Sequence, residues 1–173
     1  PKAYKKLVEL HSKIPGYDTH LAYTMLMALS NHLQEKEILQ MALKESWPEP
    51  QAKVVALVVS DLNVSETGDY LLAHLAKFKE TNKNTIGFTE AIAKTIHPSK
   101  MEKLLQWIKQ KAAKEPSEAH LLANATSQGM NQRTMSIPVS YQSWYKTLAE
   151  SMLKFIPTKE TYTDLEKAQL VFA

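Results

Sequence analysis

Val54-Val55-Ala56-Leu57-Val58-Val59 is the longest unbroken apolar run in the chain, and its reading as strand or helix decides the fold. Valine's β-branched side chain suits a buried strand. The flanks argue the other way. Pro50 stands where a helix tolerates proline, in the first turn, and Gln51-Ala52-Lys53 before the run and Ser60-Asp61-Leu62 after it continue a helical pattern. A strand would also need a partner for its backbone N–H and C=O groups, and no partner strand is visible elsewhere in the sequence. The run is therefore read as the middle of a helix over 49–62, and the fold class as all-α.

Outward from this segment, apolar residues recur about once per helical turn nearly everywhere. The spacing predicts helices at about 2–14, 18–33, 35–46, 49–62, 66–80, 86–96, 99–114, 117–130, 140–156 and 161–172. Pro15-Gly16 is a stop for the first, and Asp18 is placed to cap the second. Ser99 and Glu102 match a capping box, in which the serine oxygen accepts the Glu102 N–H and the carboxylate reaches back; Thr161 with Asp164 is a shorter version. The segment 18–33 is apolar almost all round and reads as the centre of a bundle, with Met25 and Met27, like Met41 in the next helix, as core fillers. Tyr141, Trp144, Tyr145, Leu148, Met152, Phe155 and Ile156 form the stripe of a second core helix. Joins are short, so consecutive helices should run antiparallel. Residues 126–140, polar, with Gly129, Arg133 and Pro138, read as one long loop. The expectation is a single domain over 1–173 of about nine or ten short antiparallel helices, in a bundle or a short superhelical, HEAT-like stack. Opening on Pro1 and ending on apolar Leu170-Val171-Phe172-Ala173, it is compatible with excision from a longer chain.

Composition excludes several kinds of chemistry. Without cysteine there are no disulfides, thiolate metal sites or cysteine nucleophiles, which fits a reducing, cytoplasmic setting. Four glycines and no GxGxxG or GxxxxGK[ST] pattern leave no phosphate-cradling loop. No histidine follows a glutamate at the third position, and HExxH and GxSxG are missing. His32 with Glu35 is a lone, reversed pair that reads as a surface contact, and Glu115 with Glu118, like Asp164 with Glu166, reads as acid at a helix start. No cofactor or metal is expected, no transmembrane segment, and no enzyme active site is legible.

Charge is the remaining signal. Net charge is +3, from twenty lysines and the single Arg133 against eighteen acids. Residues 77–114 hold nine lysines and three acids, +6, while 1–76 carry −2 and 115–173 carry −1. Within this stretch, Met101, Leu104, Leu105, Ile108 and Ala112 share one face of the helix 99–114. Trp107 lies roughly 120° from it, with Lys100, Lys103, Lys111 and Lys114 at −7, −4, +4 and +7. An indole amid ammonium groups is either a solvated wall, with lysine stems laid over the ring, or a docking face. These five residues, with Arg133 as a candidate clamp, point to a protein-interaction module, an adaptor or scaffold component, whose partner has an acidic surface. A non-specific nucleic-acid binder is the alternative, since phosphate contact needs lysine while base readout favours arginine. An enzyme or small-ligand carrier built from distant residues such as His20, Tyr23 and Trp144 comes third.

Overall fold

The computed structural model describes residues 2–15, 17–114, 118–133 and 138–153, and all its regular structure is helical. Among the described residues there are nine α-helices, α1 (Lys2–His11), α2 (Thr19–Leu33), α3 (Lys36–Lys44), α4 (Glu49–Val59), α5 (Ser65–Lys77), α6 (Asn82–Thr95), α7 (Met101–Lys114), α8 (Ala119–Gln132) and α9 (Val139–Leu153). A 3-10 turn, Pro98–Lys100, leads into α7. The expected helix over 161–172, the Gly16 stop and Glu115 lie outside the described residues.

The valine run is helical. Pro50 occupies the first turn of α4, and Ala52, Val54, Val55, Ala56, Val58 and Val59 are buried. A helix apolar on nearly every side belongs inside, and α4 packs against α1, α2 and α5. The other internal helix is α6, which buries Thr85, Phe88, Thr89, Ala91, Ile92, Ala93 and Thr95 between α5 and α8. Two of its three threonines are satisfied locally: Thr89 and Thr95 donate their hydroxyls to the carbonyls of Thr85 and Ala91 at 2.7 Å.

Glycine sets how closely α6 is approached. A Cβ on Gly129 of α8 would stand 2.3 Å from Glu90 O and 2.8 Å from Ala93 Cβ. One on Gly68 of α5 would stand 2.7 Å from Ile96 N. Neither backbone position can hold a side chain, so α8 and α5 close on α6 through bare backbone. The loop expected over 126–140 is accordingly shorter. Residues as far as Gln132 belong to α8, with Thr126, Gly129 and Met130 buried, and α9 starts at Val139. A polar, glycine-bearing segment reads as loop, yet here the glycine is a contact.

Three further expectations are corrected. The first half of α2 lies on the surface: only Leu29 and Leu33 are buried, while Leu21, Tyr23 and Met27 are 45%, 63% and 47% exposed, and Met41 of α3 is exposed too. Helix α2 packs on α1, α3 and α4 along one side, which leaves its other apolar residues facing out. Asp18 does cap it, accepting Leu21 N–H at 3.1 Å. Ahead of α7 the cap is the His97 ring and not Ser99, since Nδ1 accepts the Ser99 N–H at 3.3 Å and shifts the α-helical start to Met101. Helix α6 begins earlier than its apolar spacing indicates because Thr81 caps it, Oγ1 accepting Asn84 N–H at 3.2 Å.

Helix α9 is seated by Tyr141, which is 1% exposed and donates its hydroxyl to Ala123 O on α8. Burial pushes the Tyr141 hydroxyl up to about 12. The unfolded chain would ionise this phenol near 10, so the folded state holds the proton more tightly. Its contribution is complete below pH 10 and is lost as pH climbs toward 12. Between those values the wild type should lose roughly 1–2 kcal/mol more stability than Tyr141→Phe, read from urea denaturation at pH 9, 10, 11 and 12.

The glycines supply a second check. Gly129→Ala should cost about 2–4 kcal/mol, because overpacking must move α6 or α8 backbone. Gly87, exposed on α6 with nothing within 4 Å of its missing Cβ, should gain roughly 0.5–1 kcal/mol on change to alanine. Urea midpoints of the two variants measure both.

Candidate functional site

Helix α7 buries Met101, Leu104, Leu105, Ile108 and Ala112, the face its spacing assigns to the core. Trp107 is half-buried and packs at the margin of the core, so the indole is less outward-facing than the wheel implies. The cause is the connection between α5 and α6. Phe78, Lys79 and Glu80 of this connection line with α7 a groove of about 390 Å3, in which Trp107, Phe78 and Leu75 present apolar surface. Lys111 and Lys114 line the groove from α7, and Lys79 from the connection.

The structure thus gathers three of the ridge residues, Trp107, Lys111 and Lys114, and adds Lys79. Lys100 is turned to Asp69, Nζ to Oδ2 2.5 Å, between the start of α7 and α5. Lys103 is exposed on α7. Lys111 lies 4.0 Å from the buried Glu118 and keeps its stem against the groove. Among the described residues, no carboxylate pairs with Lys79, Lys103 or Lys114. Arg133 is placed elsewhere: its Nη1 donates to Ile96 O at 2.5 Å and Ala93 O at 3.3 Å, so the guanidinium closes the C-terminal end of α6, where carbonyls lack helical partners.

Below the groove lies a polar pair absent from the sequence reading. His74 of α5 and Glu80 of the connection have side chains 1% and 3% exposed, with Nε2 to Oε1 at 2.8 Å. Asn84 Nδ2 donates to the other Glu80 oxygen at 2.9 Å. An ionised carboxylate only accepts, so Nε2 carries the proton of this bond. The pair pins Phe78–Thr81 to α5 and α6, and so sets where Lys79 stands. Its residues are six apart in sequence across a helix end, a spacing that no regular element brings together; only the fold reveals it. His74 is packed among aromatic rings, 5.2 Å from Phe78 and 6.0 Å from Phe88 between centroids. Its Nδ1 is buried without a hydrogen-bond partner.

The carrier residues do not assemble. His20 and Tyr23 are exposed on α2, while Trp144 tilts against Tyr141 at 5.7 Å on α9. Among the described residues no group of three His, Asp or Glu side chains is placed to hold a metal ion, and no helix is long and apolar enough to cross a membrane. Comparison with protein-family models, curated proteins and solved structures finds no match to the chain.

Removing Glu80 strands a buried imidazole with no partner on either nitrogen. Glu80→Ala should therefore cost about 3 kcal/mol or more. Asp69→Ala, which breaks an ion pair whose side chains are 41% and 44% exposed, should cost no more than about 0.5 kcal/mol. Chemical denaturation at neutral pH separates the two.

Proposed function

We propose that the chain is a protein-interaction module, a component of a larger assembly, and that the groove between Phe78–Thr81 and α7 receives an acidic segment of its partner. The observation that carries this reading is the convergence of Lys79, Lys111 and Lys114 on a groove walled by a half-buried indole. A partner's apolar side chain entering beside Trp107 and Phe78 would remove both from water at about 25 cal/mol per Å2. The ammonium groups around it would attract carboxylates and speed encounter more than they raise affinity. Tryptophan is among the residues whose loss most weakens an interface. Lys103 extends the positive field along α7 and steers without entering the groove. Lys100 and Arg133 support the site indirectly: one ties α7 to α5, the other closes α6. A cysteine-free chain is at home in the cytoplasm.

The groove also separates this reading from non-specific nucleic-acid binding. Phosphate contact requires only lysines at a surface, whereas the docking mode requires the apolar wall as well. A fluorescent peptide with three acidic residues on each side of a phenylalanine tests it, against the same peptide with serine in place of phenylalanine and a labelled 20-base-pair DNA duplex. The phenylalanine peptide should bind at least tenfold tighter than the serine peptide. Trp107→Ala should weaken it by about tenfold or more, the cost of losing an anchor, and Lys79→Glu with Lys114→Glu should abolish it. Equal binding of the two peptides, or a duplex bound more tightly than either with a steep salt dependence, would overturn the proposal in favour of phosphate binding.

A further inference from the structure

Phe78 has a second cleft on its other side. It has a volume of about 250 Å3 and lies between α5 and the turn from α3 into α4, and Trp47, Tyr70, His74 and Phe78 line it with Glu45 and Lys77. Three observations concern charge. The Lys77 ammonium sits over the Phe78 ring, 4.8 Å from its centroid, although the residue is exposed and its stem is free to carry the charge into water. Glu45 presents a carboxylate to the cleft; Lys5 takes its Oε2. Trp47 and Tyr70 add two further rings to the lining beside Phe78. Electron-rich rings and a nearby carboxylate favour positive charge.

We infer that this cleft binds a methylated ammonium group, carried on a peptide lysine or free as in choline, and that Lys77 is its tethered occupant. A quaternary ammonium suits an aromatic site better than the primary amine of Lys77, because its methyl groups shed water at little cost and its charge is spread over them. Lys77 then acts as a competitor that the ligand displaces, and its loss strengthens binding. A side chain with only a structural role on Phe78 would not behave so. The cleft shares the Phe78 ring with the Trp107 groove, but the probes below contain no ligand of that groove, so the inference is tested without it.

The probes are choline chloride, its neutral isostere 3,3-dimethylbutan-1-ol, and a short peptide with one trimethyl-lysine beside its unmodified counterpart. Each is titrated against the ¹⁵N-labelled chain, following the indole N–H signal of Trp47. Choline should give saturable shifts and bind about threefold to tenfold tighter than the neutral isostere, the range of a cation–π contact. Lys77→Ala should tighten choline binding by about threefold or more and Glu45→Gln should weaken it by a similar factor, with melting temperatures measured on both to show an intact fold. A trimethyl-lysine peptide bound more tightly than choline assigns the ligand to a protein tail; equal affinity assigns it to a free cation. No saturable shift with choline or with the modified peptide, an isostere that binds as well as choline, or a Lys77→Ala variant unchanged in affinity would each overturn the inference.

Discussion

Everything in this fold depends on how closely two helices are allowed to approach α6. At Gly129 and Gly68 a single methyl group would collide with backbone atoms of α6 or its end, at 2.3 and 2.7 Å. Backbone is the least yielding neighbour a side chain can meet, since moving it displaces a whole helix. The consequence is an α6 approached on two sides by helices, with a small residue, Ala93, and a threonine, Thr95, at the two points of closest approach. Three features then follow in order. Threonine hydroxyls turn inward onto their own helix, where a larger polar group would have no room. The C-terminal carbonyls of α6 are held within reach of Arg133 at the end of α8. The start of α6 is fixed as firmly as its end, which places Thr81 and the short connection before it.

That connection is where fold becomes site. Phe78–Thr81 is too short to carry its own core, and charged side chains flank it. It is held by one buried hydrogen bond from His74 to Glu80 and a second from Asn84. Burying an ionisable pair is seldom the most stabilising choice, because desolvation consumes most of the attraction. An apolar pair would pack here as well but would not define direction. A carboxylate that must meet an imidazole on one oxygen and an amide on the other admits one arrangement of the backbone between them. The gain is therefore positional: Lys79 on one side of the connection and Phe78 within it are each given a fixed place relative to α7 and to Trp47.

The sequence shows the helices because their evidence is local. Period, caps and proline positions all act within a few residues, and Val54–Val59 reads as helix from its flanks and from the lack of a partner strand in the sequence. What the pattern misjudges depends on distant chain. Helix α2 has no charged residue between Thr19 and Leu33 and so reads as a buried centre, yet its first half faces out; hydropathy records what a helix could bury, and neighbours decide what it does bury. Gly129 falls in both the helix expected over 117–130 and the loop expected over 126–140, and its contact role is not legible because the atoms that require it, Glu90 O and Ala93 Cβ, are far away in sequence. Two of the groove's three lysines are legible for the same reason as the helices. Lys111, Lys114 and Trp107 share a face by spacing, whereas Lys79 joins them only through the turn of the chain.

His74 and Glu80 also tie the two clefts to each other. Glu80 lines the groove beside Trp107, His74 lines the cleft beside Trp47, and one 2.8 Å hydrogen bond joins them. Phe78 is a wall of both. A ligand that draws Phe78 toward one side takes apolar surface from the other, and any coupling free energy that results must act equally in both directions. The sign follows from the shared wall. One aromatic ring cannot be packed fully on two ligands at once, so occupancy of one cleft opposes occupancy of the other unless the ring stands still. The buried pair is what makes it stand still, by holding the backbone on either side of Phe78. A weaker hydrogen bond would let ligands proposed for the two clefts compete more, and the Nδ1 of His74, buried without a partner, adds no further bond on that ring to hold it.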